Sequence, residues 1–261
     1  MQKYNSEHFY STFLDVGLKR GDMVLVHNSL FSFGIPTDVP LKELSSSIYK
    51  QLRKVIGEEG TIAVPTFNFD FCKGIPFYSN TTPSKNMGVF SEYIRMLPTS
   101  LRSKHPMQSI AVVGPLAEAI TNGDPQSAFG EHGAFDVLLK NNAKILLLGT
   151  DYNAASFIHM VEEHNKVPYR YWKSFTAPYG VNEAETVDRT YQMYVRDLEV
   201  NPILNMNFIE EILVDKNLLQ KTQLGAGFIH CIKANDYVLL ADELIKENPY
   251  CFVSNHKNEA N

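Results

Sequence analysis

Four short apolar runs decide which architectures are open to this 261-residue chain: MVLVH at 23–27, GTIAVPTF at 60–67, IAVV at 110–113 and ILLL at 145–148. Each is too short for a helix and is followed by glycine or a polar loop. Unbroken apolarity over so few residues marks a strand covered on both faces. Between the first two runs, Leu41, Leu44, Ile48, Leu52 and Val55 recur at helical spacing, with Pro40 fitting the first turn and Gly57 near the stop. Strand, helix, strand is a βαβ unit, which crosses over right-handed into a parallel sheet. In open α/β sheets, ligands bind outside the carboxyl ends of the strands. The loops after these runs are therefore where chemistry is expected.

The other segments complete the pattern. Residues 6–18 read as an amphipathic helix through Phe9, Phe13, Leu14 and Val16. Residues 87–97 read as a short helix ended by Pro98, 115–121 as a helix begun by proline, and 135–140 as another. The stretch 68–85 is a long loop, and loops of that length inside compact domains are usually functional or mobile. After Pro168 the character changes, and 169–177 and 185–196 alternate as antiparallel strands. Asn201 and Pro202 are expected to start a helix that uses Ile203, Met206, Ile209, Ile212 and Leu213. Residues 218–223 and 226–232 read as closing strands joined through Leu224 and Gly225, and Asn235 caps a last helix near 238–246. The expected fold is α/β: a mixed sheet with a parallel βαβ amino-terminal part and antiparallel strands added carboxy-terminally. No linker rich in proline, glycine and serine divides it. Residues 1–253 are expected as one domain and the polar 254–261 as a disordered tail.

Bulk numbers exclude several functions. An apolar fraction of 44% against 20% charged residues is enough for a proper core. A net charge of -5 argues against a general nucleic-acid binder but leaves room for a local basic pocket. No apolar run nears the ~18 residues of a membrane helix, and MQKYNSEHFYSTF at the start lacks the apolar core of a signal peptide. Cys72, Cys231 and Cys251 form an odd, unpatterned set that suits a reducing cytoplasm better than a disulfide framework.

The fourth run delivers the most suggestive chemistry. A small polar loop, 150–155, leads into a helix bearing Ser156, His159, Glu162 and Glu163 and ended by Pro168. Spacings of three and four put the base and both acids on one helix face. A carboxylate bonded to imidazole fixes its tautomer and raises its basicity, although a solvated acid cluster gives the same spacing. Zinc fits poorly. His159 and His164 are separated by about 140° around a helix and cannot face one ion, so no metal is expected. Cys72 is either a nucleophile or an inert packing residue; Asp70 is either an acid partner or a turn former. TPSKNMG (82–88) and LRSKHPMQS (101–109) place hydroxyls, an arginine and a histidine on adjoining loops. Such loops can cradle a phosphate or a pantetheine amide chain, or be merely solvated. Nothing matches a dinucleotide fingerprint or a Walker loop. VPYRYWKSF interleaves Tyr169, Tyr171 and Trp172 with Arg170 and Lys173, which suits stacking on a sugar or base as well as ordinary cross-strand packing.

Taken in order and at natural spacing, VLVHNSLFSFG, GTIAVPTF, TPSKNMG, LRSKHPMQSIAVVG, KILLLG and SFIHMVEE resemble the aminoglycoside 3-N-acetyltransferase family, the bacterial antibiotic N-acetyltransferases. The likeness covers most of the chain from Gly21 to the closing strands. It implies transfer from acetyl-coenzyme A, or another acyl-coenzyme A, to an amine of an amino sugar. It implies a family-specific mixed α/β fold and direct attack, with no metal and no covalent acyl-enzyme. It implies that His159 deprotonates the amine, that Glu162 orients His159 or holds the ammonium, and that Asp70 completes the group. The coenzyme would lie against His27, Ser29 and the loop to Gly34, with Thr82, Ser84, Arg102, Ser103, His105 and Ser109 nearby. Glu163, Arg170 and Trp172 would meet the acceptor. Homodimers are common among enzymes of this sort, yet no motif here specifies one.

The chain also departs from the family pattern. Asn28 stands where a second hydroxyl residue is usual, Phe31 where a small residue is common, and Ala134-Phe135 where drug-modifying members tend to have Ser-Pro. FIHMVEEHNKVPYRYWKSF looks more like members associated with surface-polysaccharide gene clusters. An aminoglycoside favours an acidic pocket, which Glu162, Glu163 and the net charge allow. A nucleotide-linked amino sugar needs cations and aromatics, which Arg170, Trp172 and Lys173 allow. The departures tilt the expectation toward an amino sugar of a glycan precursor. An aminoglycoside antibiotic is the alternative acceptor, and a non-catalytic sugar- or coenzyme-binding module is the alternative of another class.

Overall fold

The structure, a computed structural model, describes residues 3–254. Its strands are β1 (Met23–Asn28), β2 (Thr61–Pro65), β3 (Phe77–Tyr78), β4 (Leu101–Arg102), β5 (Ile110–Val113), β6 (Lys144–Leu148), β7 (Arg170–Gly180), β8 (Thr186–Arg196), β9 (Leu219–Leu224) and β10 (Gly227–Lys233). Its helices are α1 (His8–Asp15), α2 (Leu41–Ile56), α3 (Val89–Arg95), α4 (Ala117–Thr121), α5 (Ala134–Lys140), α6 (Ile158–His164), α7 (Ile209–Asp215) and α8 (Ala234–Glu247). Seven strands form one sheet in the order β4-β5-β2-β1-β6-β10-β9, and β3, β7 and β8 form a second sheet.

Burial on both faces explains the unbroken apolar runs. In β1, Val24 and Val26 point to one core and Met23 and Leu25 to the other, as the two-residue period of a strand requires. The Val24 face packs against α1, α2 and α3 through Phe9, Phe13, Ile48, Leu52, Phe90 and Ile94. The Leu25 face packs against α4 to α8 through Ile120, Phe135, Ile158, Leu213 and Tyr237. The sheet is thus the middle layer of three. In α2, Leu44, Ile48, Leu52 and Val55 supply the buried stripe, Glu43 and Lys54 complement the helix dipole at its two ends, and Gly57 ends the helix at φ 71°.

The βαβ expectation holds: β1 pairs parallel with β2 and also with β6. The neighbours of that trio run the other way. β5 is antiparallel to β2, and β10 is antiparallel to both β6 and β9. The mixed character therefore begins in the amino-terminal half, at β5. The strands β7 and β8 pair antiparallel as expected. They do not extend the main sheet, however, but stand beside it with β3, over a small core of Phe71, Phe77, Met107, Ala177 and Tyr191.

Two helix starts and two loops differ from expectation. The segment after Asn201 does not wind: Asn201 sits at φ 46°, and α7 begins only at Ile209. Its backbone groups are taken by the carboxy-terminal segment instead. Asn205 N–H donates to Phe252 O at 2.8 Å, Ser254 N–H donates to Ile203 O at 3.0 Å, and Leu204 bridges Val253. Ser254 is thereby part of the packed structure, and the rest of the expected disordered tail, 255–261, lies outside the described residues. Helix α8 starts at Ala234, so Asn235 is inside its first turn and donates to Asn142 Oδ1 at 2.7 Å rather than capping. The expected loop 68–85 contains a 3-10 turn, Phe69–Lys73, and the strand β3, and the loop 101–109 includes β4. Among the described residues no helix is long and apolar enough to cross a membrane.

Candidate active site

β1 and β6 are parallel neighbours, with β2 on the other side of β1. Their carboxyl ends therefore frame a crevice of the kind that binds ligands in open α/β sheets. Two glycines let loops close around it. Gly149, directly after β6, has φ 66°, and a Cβ there would lie 2.7 Å from Ser29 O. Gly88, before α3, has φ 85°, and its Cβ would lie 2.5 Å from Asn28 O. Asn28 ties the two sides together: its Nδ2 donates to Met87 O and to Ser91 Oγ, each at 3.1 Å, and its Oδ1 accepts from Phe90 N–H at 3.2 Å.

A cavity of about 670 Å³ opens at this crevice, with His27, Ser29, Phe67, Gly88, Ser156 and His159 on its wall. Among the described residues the wall carries hydroxyl, amide, imidazole and apolar groups and no aspartate, glutamate, lysine or arginine. A second cavity, of about 520 Å³, lies over β7 and β8, with Gln108, Arg170, Lys173, Tyr194 and Arg196 on its wall. His159 and Phe69 belong to both walls.

His159 is held from behind. Its Nδ1 lies 2.7 Å from Glu162 Oε2, one helical turn on, and Phe129 packs edge-on to the ring at 5.8 Å. Glu162 is fully buried. Tyr169, delivered by the loop into β7, donates its hydroxyl to Glu162 Oε1 at 3.0 Å. Arg170 Nε lies 3.0 Å from Glu162 Oε2 as an ion pair without an aligned N–H bond, while its Nη1 donates to Tyr194 O at 3.1 Å. Burial pushes the Glu162 carboxyl up, but the hydrogen bond from His159 and the charges of His159 and Arg170 outweigh it, and the group ends below the usual range. It is therefore a carboxylate at neutral pH. A carboxylate can only accept, so Nδ1 carries a proton, and in the neutral imidazole the lone pair is then on Nε2. His27 is neutral beside it, its pKa pushed down to about 3 by burial and then by the His159 charge.

The other expected site residues divide. His27 and Ser29 are on the wall of the first cavity. Thr82, Ser84, Arg102, Ser103, His105 and Ser109 are not; their polar atoms serve the fold. Arg102 donates to Thr66 O at 2.8 Å, to Ser109 Oγ at 3.0 Å and to Thr82 O, stacking on Phe77. Thr82 Oγ1 accepts from Tyr78 N–H at 2.8 Å, and Ser84 Oγ donates to Glu92 Oε2 at 2.7 Å. Ser103 Oγ accepts from Ile110 N–H at 2.9 Å. His105 bridges Gln108 N–H and Gln192 O, each at 3.1 Å, and burial holds its pKa down to about 4. Ser109 Oγ lies 3.0 Å from Thr66 Oγ1.

Asp70 does not join His159 and Glu162 either. It pairs with Lys85 and, at 3.7 Å, with Lys73. Glu163 accepts from Ser127 Oγ at 2.7 Å and lines neither cavity. Arg170 touches Glu162 as well as the second cavity. Trp172 is 44% exposed and packs on Tyr194 from outside that cavity. Cys72 reaches the second cavity, but burial pushes its thiol up to about 11, which suits packing and not nucleophilic attack. Gln108 and Arg196 are not singled out by the sequence, and Tyr169, read there as a stacking aromatic, instead donates to Glu162. The sevenfold spacing from Glu162 to Tyr169 across Pro168 was the available signal for that contact.

An imidazole with one tautomer fixed by a buried carboxylate, standing between two cavities, is the equipment of a two-substrate group-transfer enzyme. The model of the aminoglycoside 3-N-acetyltransferase family matches residues 25–246, and the chain belongs to that family. Aminoglycoside N(3)-acetyltransferase IV from Salmonella sp. is 28% identical over 92% of this chain and 87% of its own length. Among solved structures, a variant of aminoglycoside acetyltransferase AAC(3)-IVa in complex with apramycin is 25% identical with TM-score 0.75, covering 95% of each chain. AAC-IIIb binary with CoASH shares the fold at TM-score 0.80 and 19% identity, over 94% of this chain and 97% of that one. The family places this chain among the N-acetyltransferases.

Proposed function

We propose that this protein transfers an acyl group from acyl-coenzyme A to an amine of an amino sugar, with His159 as general base and Glu162 as the group that orients it. The observation that carries this reading is the place of His159 on the walls of both cavities, with Nδ1 bonded to a buried carboxylate. The uncharged first cavity, at the carboxyl ends of β1 and β6, suits a pantetheine arm, whose amides and thioester are neutral. The second cavity takes the amine. A relative whose structure is described with coenzyme A and another described with apramycin support the two substrate classes.

The chemistry balances with these residues alone. The amine nitrogen attacks the thioester carbonyl carbon, forming the C–N bond. Nε2 of His159 takes the proton that nitrogen must lose. The resulting imidazolium is stabilised by Glu162, and the C–S bond then breaks. The sulfur leaves as thiolate and recovers the proton from Nε2, giving an amide and a free thiol. General-base assistance of this kind contributes about 10² to 10⁴ in rate. A fixed tautomer removes the cost of finding the right protonation site. The test is thiol release from acetyl-coenzyme A with and without amino sugars, with the acylated product identified by mass spectrometry. Acceptor-dependent thiol with a matching amide is the expected result; thiol release indifferent to every amine refutes the transfer.

A further inference from the structure

The second cavity is cationic in a chain of net charge -5. Arg170, Lys173 and Arg196 stand on its wall, and among the described residues no aspartate or glutamate does. Glu162 lies beneath, but both its oxygens are engaged by His159, Tyr169 and Arg170. Arg170 and Arg196 are register partners on the β7–β8 ladder. Like charges placed opposite one another in a sheet are destabilising. Arg170 has Glu162 as its counter-charge. Among the described residues, neither Arg196 nor Lys173 forms an ion pair, and Lys173 only overlies the Phe175 ring at 5.4 Å. Lys173 shares one face of the β7–β8 ribbon with Tyr171 and Phe175, and Arg196 shares the other with Arg170 and Tyr194, the cavity wall drawing on both. Cations without counter-charges, placed next to flat rings, match an anionic ligand with a planar end. A polycationic acceptor would meet the uncompensated charges of Lys173 and Arg196.

We propose that the acceptor is an amino sugar linked to a nucleoside diphosphate. Lys173 and Arg196 pair with the phosphates, the aromatic strand residues face the base, and the amine lies at His159. This rests on the acyl-transfer reading above and adds the charge and class of the substrate. Arginine is suited to the role because its planar fork meets two phosphate oxygens at once, while lysine acts as a point charge.

The experiment compares wild type with Lys173→Gln and Arg196→Gln, singly and together. Both positions are exposed, so the fold tolerates the change, and thermal melts check this. Acceptors are UDP- and dTDP-linked amino sugars, an amino sugar 1-phosphate, a neutral methyl glycoside and an aminoglycoside. The nucleotide-linked acceptors are expected to give the highest kcat/KM. Each substitution should raise acceptor KM by about tenfold or more, with Arg196→Lys recovering part of the loss and KM for acyl-coenzyme A staying within about twofold. Best use of the aminoglycoside, or a rise in KM for acyl-coenzyme A in place of the acceptor, overturns the proposal while leaving acyl transfer intact. Equal use of the sugar 1-phosphate overturns the nucleoside assignment. Calorimetry with UDP and dTDP in saturating coenzyme A reads the cations without turnover. Binding lost in the double variant supports the proposal even if the transfer reading fails, and no binding of either diphosphate to wild type refutes it.

Discussion

Replacing Glu162 by glutamine isolates the charge of the buried carboxylate from its shape. In the native site the two oxygens receive Nδ1–H of His159 at 2.7 Å and the Tyr169 hydroxyl at 3.0 Å, with Arg170 at 3.0 Å. An amide keeps one acceptor and gains two donors. If its oxygen stays with Tyr169, the NH2 group faces Nδ1 and Arg170. Nδ1 must then accept, the proton moves to Nε2, and the base is lost. If the amide is reversed, His159 keeps its tautomer but Tyr169 loses its acceptor. Either way the imidazolium formed during transfer has no carboxylate beside it. The expected fall in kcat is about two to three decades, most of what a general base contributes. Stability falls as well, because Arg170 is only 10% exposed and is left without its counter-charge. Breaking such a pair costs about 3 kcal/mol, which in a chain of this length lowers Tm by roughly 6–12 °C. The pH dependence has a definite sign. The Glu162 carboxyl is held below its ordinary range in the folded state. Its contribution is therefore complete above the unfolded value, near 4.5, and is lost as the pH falls through the lower folded value. Wild-type Tm should drop below that pH, and Glu162→Gln should drop less. Thiol-release kinetics and thermal melts from pH 3 to 8 read both effects. A Glu162→Gln enzyme with wild-type kcat would refute the reasoning, since the imidazole would then need no carboxylate.

Three further outcomes separate site from scaffold. Arg102→Ala leaves Thr82 O without the Arg102 donor, while Thr66 O keeps the Ser109 hydroxyl, and should cost about 1–3 kcal/mol in urea unfolding, the range for one unmet group, with KM for acyl-coenzyme A near wild type; a selective rise in that KM would support a coenzyme role. Asp70→Asn breaks only surface pairs with Lys85 and Lys73, so kcat should stay within about twofold of wild type, and a loss of a decade or more would return Asp70 to the catalytic group. Alkylation of Cys72 should be slow at neutral pH and rise toward pH 11, following its raised thiol, whereas rapid labelling at pH 7 would show an activated thiolate.

What could be read in the sequence follows from what local pattern encodes. Runs such as VLVH and ILLL are apolar on both faces because helices cover both, so their place was legible. The i,i+3 spacing of His159 and Glu162 fixes a shared helix face within one turn, and the structure realises it at hydrogen-bond distance. Strand direction is another matter: IAVV reads the same whether it pairs parallel or antiparallel, and β5 pairs antiparallel with β2. The Asn201-Pro202 signal failed because the carboxy-terminal segment claims the backbone groups of 203–205, a contact fifty residues away in sequence. The hydroxyls and cations of 82–109 have the residue types of a phosphate cradle. Composition names donors but not their acceptors, and here Arg102, Ser103 and Ser109 are absorbed in joining β2, β4 and β5 to neighbouring loops. Tyr169 and Arg196 acquire meaning only when β7 folds back onto α6 and β8 lies beside it.

The most direct test of the central claim is thiol release by His159→Ala at saturating acyl-coenzyme A and amino-sugar acceptor, with coenzyme binding measured in parallel. Because His159 stands on both cavity walls and Glu162 leaves its Nε2 free to accept, kcat should fall by at least about 10² while coenzyme binding persists. A variant that turns over as fast as wild type would contradict the account and place the base elsewhere.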